Sequence, residues 1–144
     1  MRRPRTLKAA KTRAWGAISG YIRQKYADIY GDVECVTCGK SMRWKDSHCG
    51  HYQHGLTYYW SQCHKKYNVY EENLHPQCVG CNKYRGGMLD KYTIYLLDMY
   101  GEAMARELHL EKSRQKAKPL KMRIDDYWEI EKEYKAMTEE LSNA

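Results

Sequence analysis

The sequence predicts an α+β protein in which a small cysteine-rich core lies between helical flanks. Three observations predict this class. Apolar residues recur at three- and four-residue steps near the start of the chain, and again after residue 88, as they do on one face of a helix. Between these regions, two Cys-x-x-Cys pairs bracket a polar, aromatic stretch. We expect three segments: a basic arm and helix over residues 1–32, a core over 33–90, and a helical extension with a basic linker over 91–144.

The flanking helices are predicted from their apolar stripes. A first helix is expected over residues 7–30, ending at Gly31-Asp32, with a stripe of Trp15, Ile18, Tyr21, Ile22, Tyr26 and Ile29. A second is expected over 89–100, with a stripe of Leu89, Thr93, Leu96, Leu97 and Tyr100. A short helix follows over 102–109. The last helix is expected to begin near Asp126, because Asp126 and Glu129 have the spacing of a capping box.

The core is predicted to hold little regular structure. Residues 33–35 are consistent with a short strand that enters the first cysteine pair. Residues 53–72 are polar and irregular, and a loop of that length in a small domain usually serves a function. A helix is expected to open at Cys78 and to break at Gly86-Gly87.

The two cysteine pairs predict one structural zinc site. Their members are Cys35, Cys38, Cys78 and Cys81, with 39 residues between Cys38 and Cys78. Four thiolates arranged in two such pairs can close a tetrahedral zinc site. Such an ion would hold together the two ends of the intervening segment. The alternatives are two unconnected pairs, or redox chemistry.

The remaining cysteines, Cys49 and Cys63, are expected to be ordinary small side chains, although either has a histidine nearby that would let it act as a ligand. We do not expect a disulfide scaffold, because the Met-Arg-Arg-Pro-Arg start is followed by no apolar leader segment. No apolar run approaches the length of a membrane span. These features favour a reducing, cytoplasmic location.

The charge distribution predicts a polyanionic partner, with DNA as the first candidate. The formal net charge is +7 and the isoelectric point is near 9.0. Residues 1–13 and residues 112–123 each carry six Lys or Arg and no acidic residue. The alternative is that these runs are solvated tails. The residues expected to contact phosphates are Arg2, Arg3, Arg5, Lys116, Lys118 and Lys121.

The segment around the cysteine pairs carries a longer pattern. It reads Cys35-Val-Thr-Cys38-Gly39, Gly50-His51-Tyr52, Glu72-Asn73-Leu74-His75-Pro76-Gln77-Cys78-Val79-Gly80-Cys81-Asn82 and Gly86-Gly87-Met88-Leu89. This pattern resembles the zinc-stapled His-Asn-His (HNH) nucleases of the ββα-metal class, in particular the phage NinG (Rap) recombination endonucleases. The likeness covers most of the chain, and its Gln-Cys-x-x-Cys-Asn block is the most specific part. It implies a ββα-metal nuclease core with structural Zn²⁺ and catalytic Mg²⁺ or Mn²⁺.

The resemblance implies a role for each polar residue of the pattern. His51 would be the general base that activates water, on the second strand of a β-hairpin. Asn73 would brace the loop and hold His51 in its rotamer. Asn82 would give a side-chain oxygen to the divalent ion, in the way that the endonuclease VII resolvases use an asparagine at this position. Lys83 and Arg85 would face phosphate. Histidine suits the first role because it is partly neutral near physiological pH.

One position departs from the family pattern. Many HNH enzymes have an Asp or His ligand directly before the base, where this chain has Gly50. His48, favoured by position, and Asp46, favoured by its hard carboxylate, are the two candidates for the missing ligand. Asn82 has an alternative role as a helix N-cap. The other histidines of this region are expected to be structural or to face DNA; they are His54, His64 and His75.

The function implied by the resemblance is a structure-selective DNA endonuclease acting on branched recombination intermediates, such as Holliday junctions or D-loops. Paired cuts across a junction favour a two-fold homodimer. No small-molecule cofactor is expected, and the protein would act in the bacterial host cell as a phage or prophage product. The alternatives are a nicking HNH enzyme that works with a phage terminase, and a zinc-knuckle DNA-binding protein in which His51 is idle.

Overall fold

The computed structural model describes residues 1–143 and confirms the α+β class. The helices are α1 (Leu7–Lys25), α2 (Leu89–Tyr100), α3 (Glu102–Ala117) and α4 (Ile124–Asn143). The strands are β1 (Asp32–Glu34), β2 (Ser41–Arg43), β3 (His48–His51), β4 (Tyr58–Ser61), β5 (Lys66–Val69) and β6 (Leu74–Gln77). None of the helices in this part of the chain is both long enough and apolar enough to cross a membrane.

The strands form three antiparallel pairs, β1–β2, β3–β6 and β4–β5. The pair that positions the site is β3–β6, in which His48 lies opposite Gln77 and His51 opposite Leu74. The prediction that His51 lies on the second strand of a hairpin is wrong. His51 lies on β3, and its partner β6 follows only after the β4–β5 hairpin has been inserted between them. Beside this pair, the amide of Val36 in the first cysteine pair donates to the carbonyl of Pro76 on β6 at 3.1 Å, which brings the two cysteine pairs close together.

The expected loop over residues 53–72 contains regular structure. It holds the β4–β5 hairpin and a 3₁₀ turn over Glu71–Asn73. Trp60 lies opposite Tyr67, and their rings meet edge to face at 5.0 Å between centroids. Cross-strand aromatic pairs of this kind stabilise a hairpin. The polar residues of this stretch interrupt the apolar alternation that predicts strands, so the hairpin was not predicted.

The first helix ends five residues earlier than predicted, at Lys25. The carboxylate of Asp28 accepts hydrogen bonds from the backbone amides of Tyr30 and Asp32, at 2.9 and 3.0 Å. These bonds stabilise a turn in place of another helical turn. Ile29 was expected on the buried stripe, but its side chain is 91% exposed.

The later helices also differ in detail from their predictions. The buried residues of α2 are Tyr92 and Leu96, whereas Leu89 and Leu97 are exposed. Helix α3 continues to Ala117, so half of the expected basic linker is helical. The last helix starts at Ile124, and Asp126 reaches back to accept the amide hydrogen of Arg123 at 2.7 Å. Asp126 is therefore the acidic member of the cap and not its first residue.

Helices α1 and α4 pack together behind the β3–β6 pair. One apolar cluster joins Ile18 and Ile22 of α1 to Leu74 of β6 and to Ile130 and Tyr134 of α4. Beside it, the fully buried carboxylate of Glu131 is paired with Arg13 and Lys135. A buried carboxylate needs such partners to remain charged. The two terminal helices therefore support the strand that carries His51.

Candidate active site and metal centre

The four paired cysteines converge in space, as predicted. Their Sγ atoms all lie within 4.8 Å of one another, and those of Cys38 and Cys78 are 3.7 Å apart. Thiolates about 2.3 Å from a tetrahedral zinc ion stand about 3.8 Å from each other. The donor set and its spacing therefore fit zinc. Within residues 1–143, Cys49 and Cys63 lie outside this cluster.

The surroundings favour ionised sulfur at Cys35, whereas at Cys38 a backbone hydrogen bond from Lys40 lowers the pKa but burial and hydrogen bonds with the other three thiols raise it to about 12. Burial raises the pKa of Cys35, but hydrogen bonds from the Thr37 hydroxyl and from backbone amides outweigh burial and lower the pKa to about 6. The amide of Cys81 points at the Sγ of Cys78 at 3.3 Å. Cysteine must be deprotonated to bind a metal ion, so these bonds prepare the site for one.

A cleft of about 930 Å³ opens beside β3. It brings together three of the predicted catalytic or metal-binding residues, His48, His51 and Asn82, and the predicted phosphate-binding residue Lys83. None of the carboxylates in residues 1–143 lines this cleft. It is lined by four cationic side chains, Arg23, Lys45, Lys83 and Lys112. A concave surface with one sign of charge concentrates ligands of the opposite sign.

His51 is held on two sides. Its ring stacks on Trp15 with 4.9 Å between centroids, and its Nε2 lies 2.8 Å from the hydroxyl of Thr57. Burial lowers the pKa of His51 to about 4, and the neighbouring charges of His54 and Lys112 act in the same direction. The imidazole is therefore neutral at pH 7 and able to accept a proton.

Asn82 and His48 are in direct contact. Asn82 lies within a single π-helical turn over Gly80–Tyr84, the short element that begins after Cys78, and its amide Nδ2 lies 3.0 Å from Nδ1 of His48. Its position inside the turn, with the side chain directed to His48, does not match a helix N-cap. Asp46 ends a 3₁₀ turn before β3, where it is exposed and outside the cleft lining.

Gly50 cannot be replaced by a ligand residue without moving its neighbour. A Cβ atom at this position would lie within 1.8 Å of the Gln77 side-chain oxygen. Gln77 is fully buried and donates hydrogen bonds to Thr37 and to the carbonyl of Gly87. The space next to the histidine is thus filled by Gln77, which explains why the chain departs from the pattern here.

Asn73 is fully buried and braces the loop after β3. Its amide oxygen accepts the backbone amide of Gln53 at 2.8 Å, and its nitrogen donates to the carbonyls of Gln53 and Leu56 at 3.0 and 2.6 Å. These bonds hold the backbone that leads to Thr57. The contacts to the His51 ring come from Trp15 and Thr57, so Asn73 influences His51 only through the loop.

Of the predicted phosphate-binding residues, Lys83 lines the cleft and the others lie elsewhere. Arg85 approaches the Sγ of Cys81 at 3.9 Å, and Arg3 is paired with Asp125. The remaining ones are exposed and do not line the cleft; they are Arg2, Arg5, Lys116, Lys118 and Lys121.

Sequence reasoning missed the site roles of Arg23, Lys45, Trp15 and Thr57, which carry no motif. Arg23 and Trp15 reach the cleft only because α1 packs across β3. Lys112 lies in the recognised basic run, but its place in the cleft depends on the packing of α3. A basic composition predicts a polyanionic partner, whereas tertiary packing decides which cationic side chains lie in the cleft.

His75 is structural. It is fully buried, with Nδ1 2.9 Å from the hydroxyl of Tyr92 and Nε2 2.8 Å from that of Tyr100. Burial lowers its pKa to about 3, and Lys25 contributes. Tyr92 in turn donates to the carbonyl of Gly50 at 2.9 Å, which ties α2 to β3. His54 lines the cleft, and His64 lies on the β4–β5 turn.

The fold and these sites define an α+β protein in which a cluster of four cysteines that could hold a metal ion adjoins a cationic histidine–asparagine cleft. A family model described as Bacteriophage Lambda NinG protein matches residues 3–144. The chain belongs to the NinG family.

The relatives support the same assignment over much of the chain. It is 25% identical over 130 residues to Protein ninG of Escherichia phage lambda, covering 89% of this chain and 55% of that protein. It is 28% identical over 100 residues to Protein ninG of Salmonella phage P22, covering 68% and 43%. The chain thus spans about half the length of these curated relatives. No solved structure matches it.

Proposed function

We propose that the protein is a divalent-metal-dependent DNA endonuclease that cuts branched recombination intermediates, such as Holliday junctions or D-loops. The observation that carries the proposal is the meeting of His51, His48 and Asn82 in one cleft lined by four cations and adjacent to the cysteine cluster. A neutral imidazole, two metal-binding side chains and cations for phosphate are the components that phosphodiester hydrolysis requires. The acidic backbone of DNA fits the cationic lining.

His51 is the proposed general base. In the tautomer that fits this role, Nε2–H donates to the hydroxyl of Thr57 at 2.8 Å, which leaves Nδ1 to take a proton from water. Trp15 and Thr57 then act as positioning residues, because they fix the ring plane and the tautomer. The depressed pKa keeps the base neutral at working pH.

Asn82 and His48 are the proposed ligands of the catalytic ion. The amide group of Asn82 lies 3.0 Å from Nδ1 of His48, measured at its nitrogen, so rotation of the amide would turn its oxygen towards His48 and let that oxygen and Nδ1 share one ion. A bound divalent ion would stabilise the negative charge that develops on the scissile phosphate. A pair of imidazole and amide ligands, with no carboxylate contributed by the lining residues within 1–143, suits Mn²⁺ better than Mg²⁺.

The cysteine cluster is proposed to hold a structural Zn²⁺. It joins the β1–β2 side of the core to the turn that carries Asn82, so it fixes the distance between that residue and β3. The proposal further includes a homodimer, because resolving a junction requires two paired cuts, and action in the bacterial cytoplasm, where the DNA substrate would be.

The test is cleavage of a labelled four-way junction and of a linear duplex with the same sequences. Magnesium or manganese is added or withheld by dialysis, since a chelator would also remove zinc. Metal-dependent cutting that prefers the junction is expected. Metal-dependent cutting without that preference would favour a nicking enzyme of another kind. Binding without cutting in any metal would contradict the nuclease proposal and indicate a DNA-binding protein.

Replacing Asn82 with alanine is expected to lower the cleavage rate about ten- to a hundredfold at low manganese, because one ligand of the ion is lost. High manganese should restore part of the rate, since weak binding is overcome by concentration. The measurement is the cleavage rate as a function of metal concentration. Asn68→Ala, on β5 and outside the cleft lining, is the matched control. An Asn82→Ala enzyme with an unchanged metal requirement would exclude the ligand role.

The pH profile should report the buried environment of His51. Its pKa is lowered to about 4 by burial, so the base stays neutral and kcat/KM should change little between pH 8 and about 5. An ordinary histidine would lose activity below about pH 6.5. Trp15→Ala, which opens the ring to water, should move the acid limb upward. Zinc content is measured at each pH to verify that the fold persists. An acid limb near 6.5 in the wild type would argue against this environment.

A further inference from the structure

Two exposed aromatic side chains, one beside the cleft and one connected to its wall, are not used by the proposed chemistry. Tyr84 follows Asn82 and Lys83 in the π turn, and its side chain is 73% exposed. The ammonium group of Lys83, which lines the cleft, lies 5.4 Å from the centre of the Tyr84 ring. Tyr30, in the turn between α1 and β1, is 72% exposed.

The Tyr30 turn is connected to the cleft wall by a series of contacts. Arg43, at the end of β2, donates to the carbonyl of Tyr30 at 3.0 Å, and the amide of Trp44 donates to the carbonyl of Gly31 at 3.0 Å. The Trp44 ring lies 5.4 Å from the guanidinium of Arg23 and 5.7 Å from the ammonium of Lys45.

Both of these cations line the cleft, and Arg23 also donates to the carbonyl of Trp44. Aromatic rings and cations therefore alternate along the residues just before β3, and again in the π turn after β6.

The alternation of aromatic rings and cations indicates the kind of ligand that this surface would bind. A cationic groove alone binds any DNA backbone, because it contacts only phosphates. Exposed aromatic rings beside the groove add a surface on which a base can stack, provided that the base is not already stacked in a duplex. At a branch, nucleotides are more easily unpaired than within a continuous helix.

We propose that the rim of the cleft binds unpaired nucleotides at a DNA branch. The bases would stack on three aromatic residues, Tyr84, Tyr30 and Trp44. The phosphates would contact Lys83, Arg23 and Lys45. This inference rests on the proposed function, since it supplies the structure selectivity of that same cleft. It identifies the feature of the substrate that is recognised as single-stranded nucleotides.

The test measures binding without cleavage, by fluorescence anisotropy in calcium with magnesium and manganese withheld. The probes are a forked duplex with two single-stranded arms and a fully paired duplex with the same number of phosphates. The wild type should prefer the fork. Tyr84→Ala should bind the fork about tenfold more weakly and the duplex within twofold of wild type, because one stacking contact is lost. Tyr84→Phe should retain the preference.

Salt dependence separates stacking from charge. Tyr84→Ala should leave the slope of log Kd against log salt unchanged, whereas Lys83→Ala should reduce it by about one. Ile94→Ala is the matched control, because Ile94 is 59% exposed on α2 and does not line the cleft. Tyr30→Ala tests the second segment independently, so the proposal does not depend on one variant folding.

Equal weakening for fork and duplex in Tyr84→Ala, or no change in either Tyr84→Ala or Tyr30→Ala, would overturn the proposal. The outcome is separate from that of the nuclease proposal. A wild type that prefers the fork but never cuts would contradict catalysis and leave the stacking surface standing. If the wild type cuts junctions but Tyr84→Ala and Tyr30→Ala keep the full fork preference, the stacking surface is contradicted and the nuclease proposal stands.

Discussion

His51→Ala is expected to fold, to bind DNA and to cut it at least about a hundredfold more slowly than wild type, which is the usual contribution of a general base. The imidazole occupies the cleft with Trp15 on one face and Thr57 at Nε2, and these contacts distinguish it from His48 and His54, which also line the cleft. His48 is committed to Asn82 at 3.0 Å. The measurement is single-turnover cleavage of a labelled junction in manganese, with zinc content and circular dichroism verifying the fold.

The matched control for this variant is His64→Ala. His64 lies on the β4–β5 turn, where its ring contacts Ser61 at 3.1 Å, away from the cleft lining. This variant should cut at the wild-type rate. If His51→Ala cuts as fast as His64→Ala, then His51 is not the base, and the low pKa of His51 would reflect burial of a structural residue alone.

Cys78→Ser is expected to leave the core unfolded under conditions in which the wild type is folded. Binding of zinc to four thiolates contributes about 10–16 kcal/mol in small zinc domains, which is comparable to the whole stability of an ordinary domain of about 5–15 kcal/mol. Cys78 is buried at the point where β6 meets the π turn. Loss of its thiolate therefore disconnects the segment that carries Asn82 from the first cysteine pair.

The measurements for Cys78→Ser are zinc content by mass spectrometry and thermal unfolding by circular dichroism. Cys63→Ser is the matched control, since Cys63 is exposed and outside the cluster. It should retain one zinc per chain and the wild-type melting temperature. A Cys78→Ser protein that melts like wild type with an unchanged metal content would exclude a structural role for the cluster.

The parts of the fold that the sequence predicted well are those with a local signal. The spacing of the cysteine pairs predicts their cluster, and the apolar stripes predict the helices. Where a short polar interaction decides the outcome, the prediction failed: the Asp28 carboxylate ends α1 at Lys25, although the stripe continues to Ile29. The β4–β5 hairpin was missed because Ser61 and Lys66 interrupt the apolar alternation that predicts strands.

The sequence pattern singled out His48, His51 and Asn82, which meet in the cleft, but it did not predict most of the other residues that surround them. Gly50 illustrates the limit, because the reason for glycine is the side chain of Gln77, 27 positions later, which occupies the space a ligand would need. The same holds for Trp15 and Lys112, which reach the cleft from α1 and α3. Such contacts depend on tertiary packing, and a pattern along the chain carries no signal for them.

The insertion of the β4–β5 hairpin between the paired strands β3 and β6 has a consequence during synthesis of the protein. His51 lies before the β4–β5 hairpin and Asn82 after it, so a ribosome-bound or truncated chain that ends before residue 74 contains His51 but lacks both the strand that pairs with β3 and Asn82. Under the proposed function, we expect such fragments not to cut DNA. Because Ile130 and Tyr134 of α4 belong to the apolar cluster that includes Leu74 of β6, a chain that ends before residue 124 also lacks this support of the β3–β6 pair.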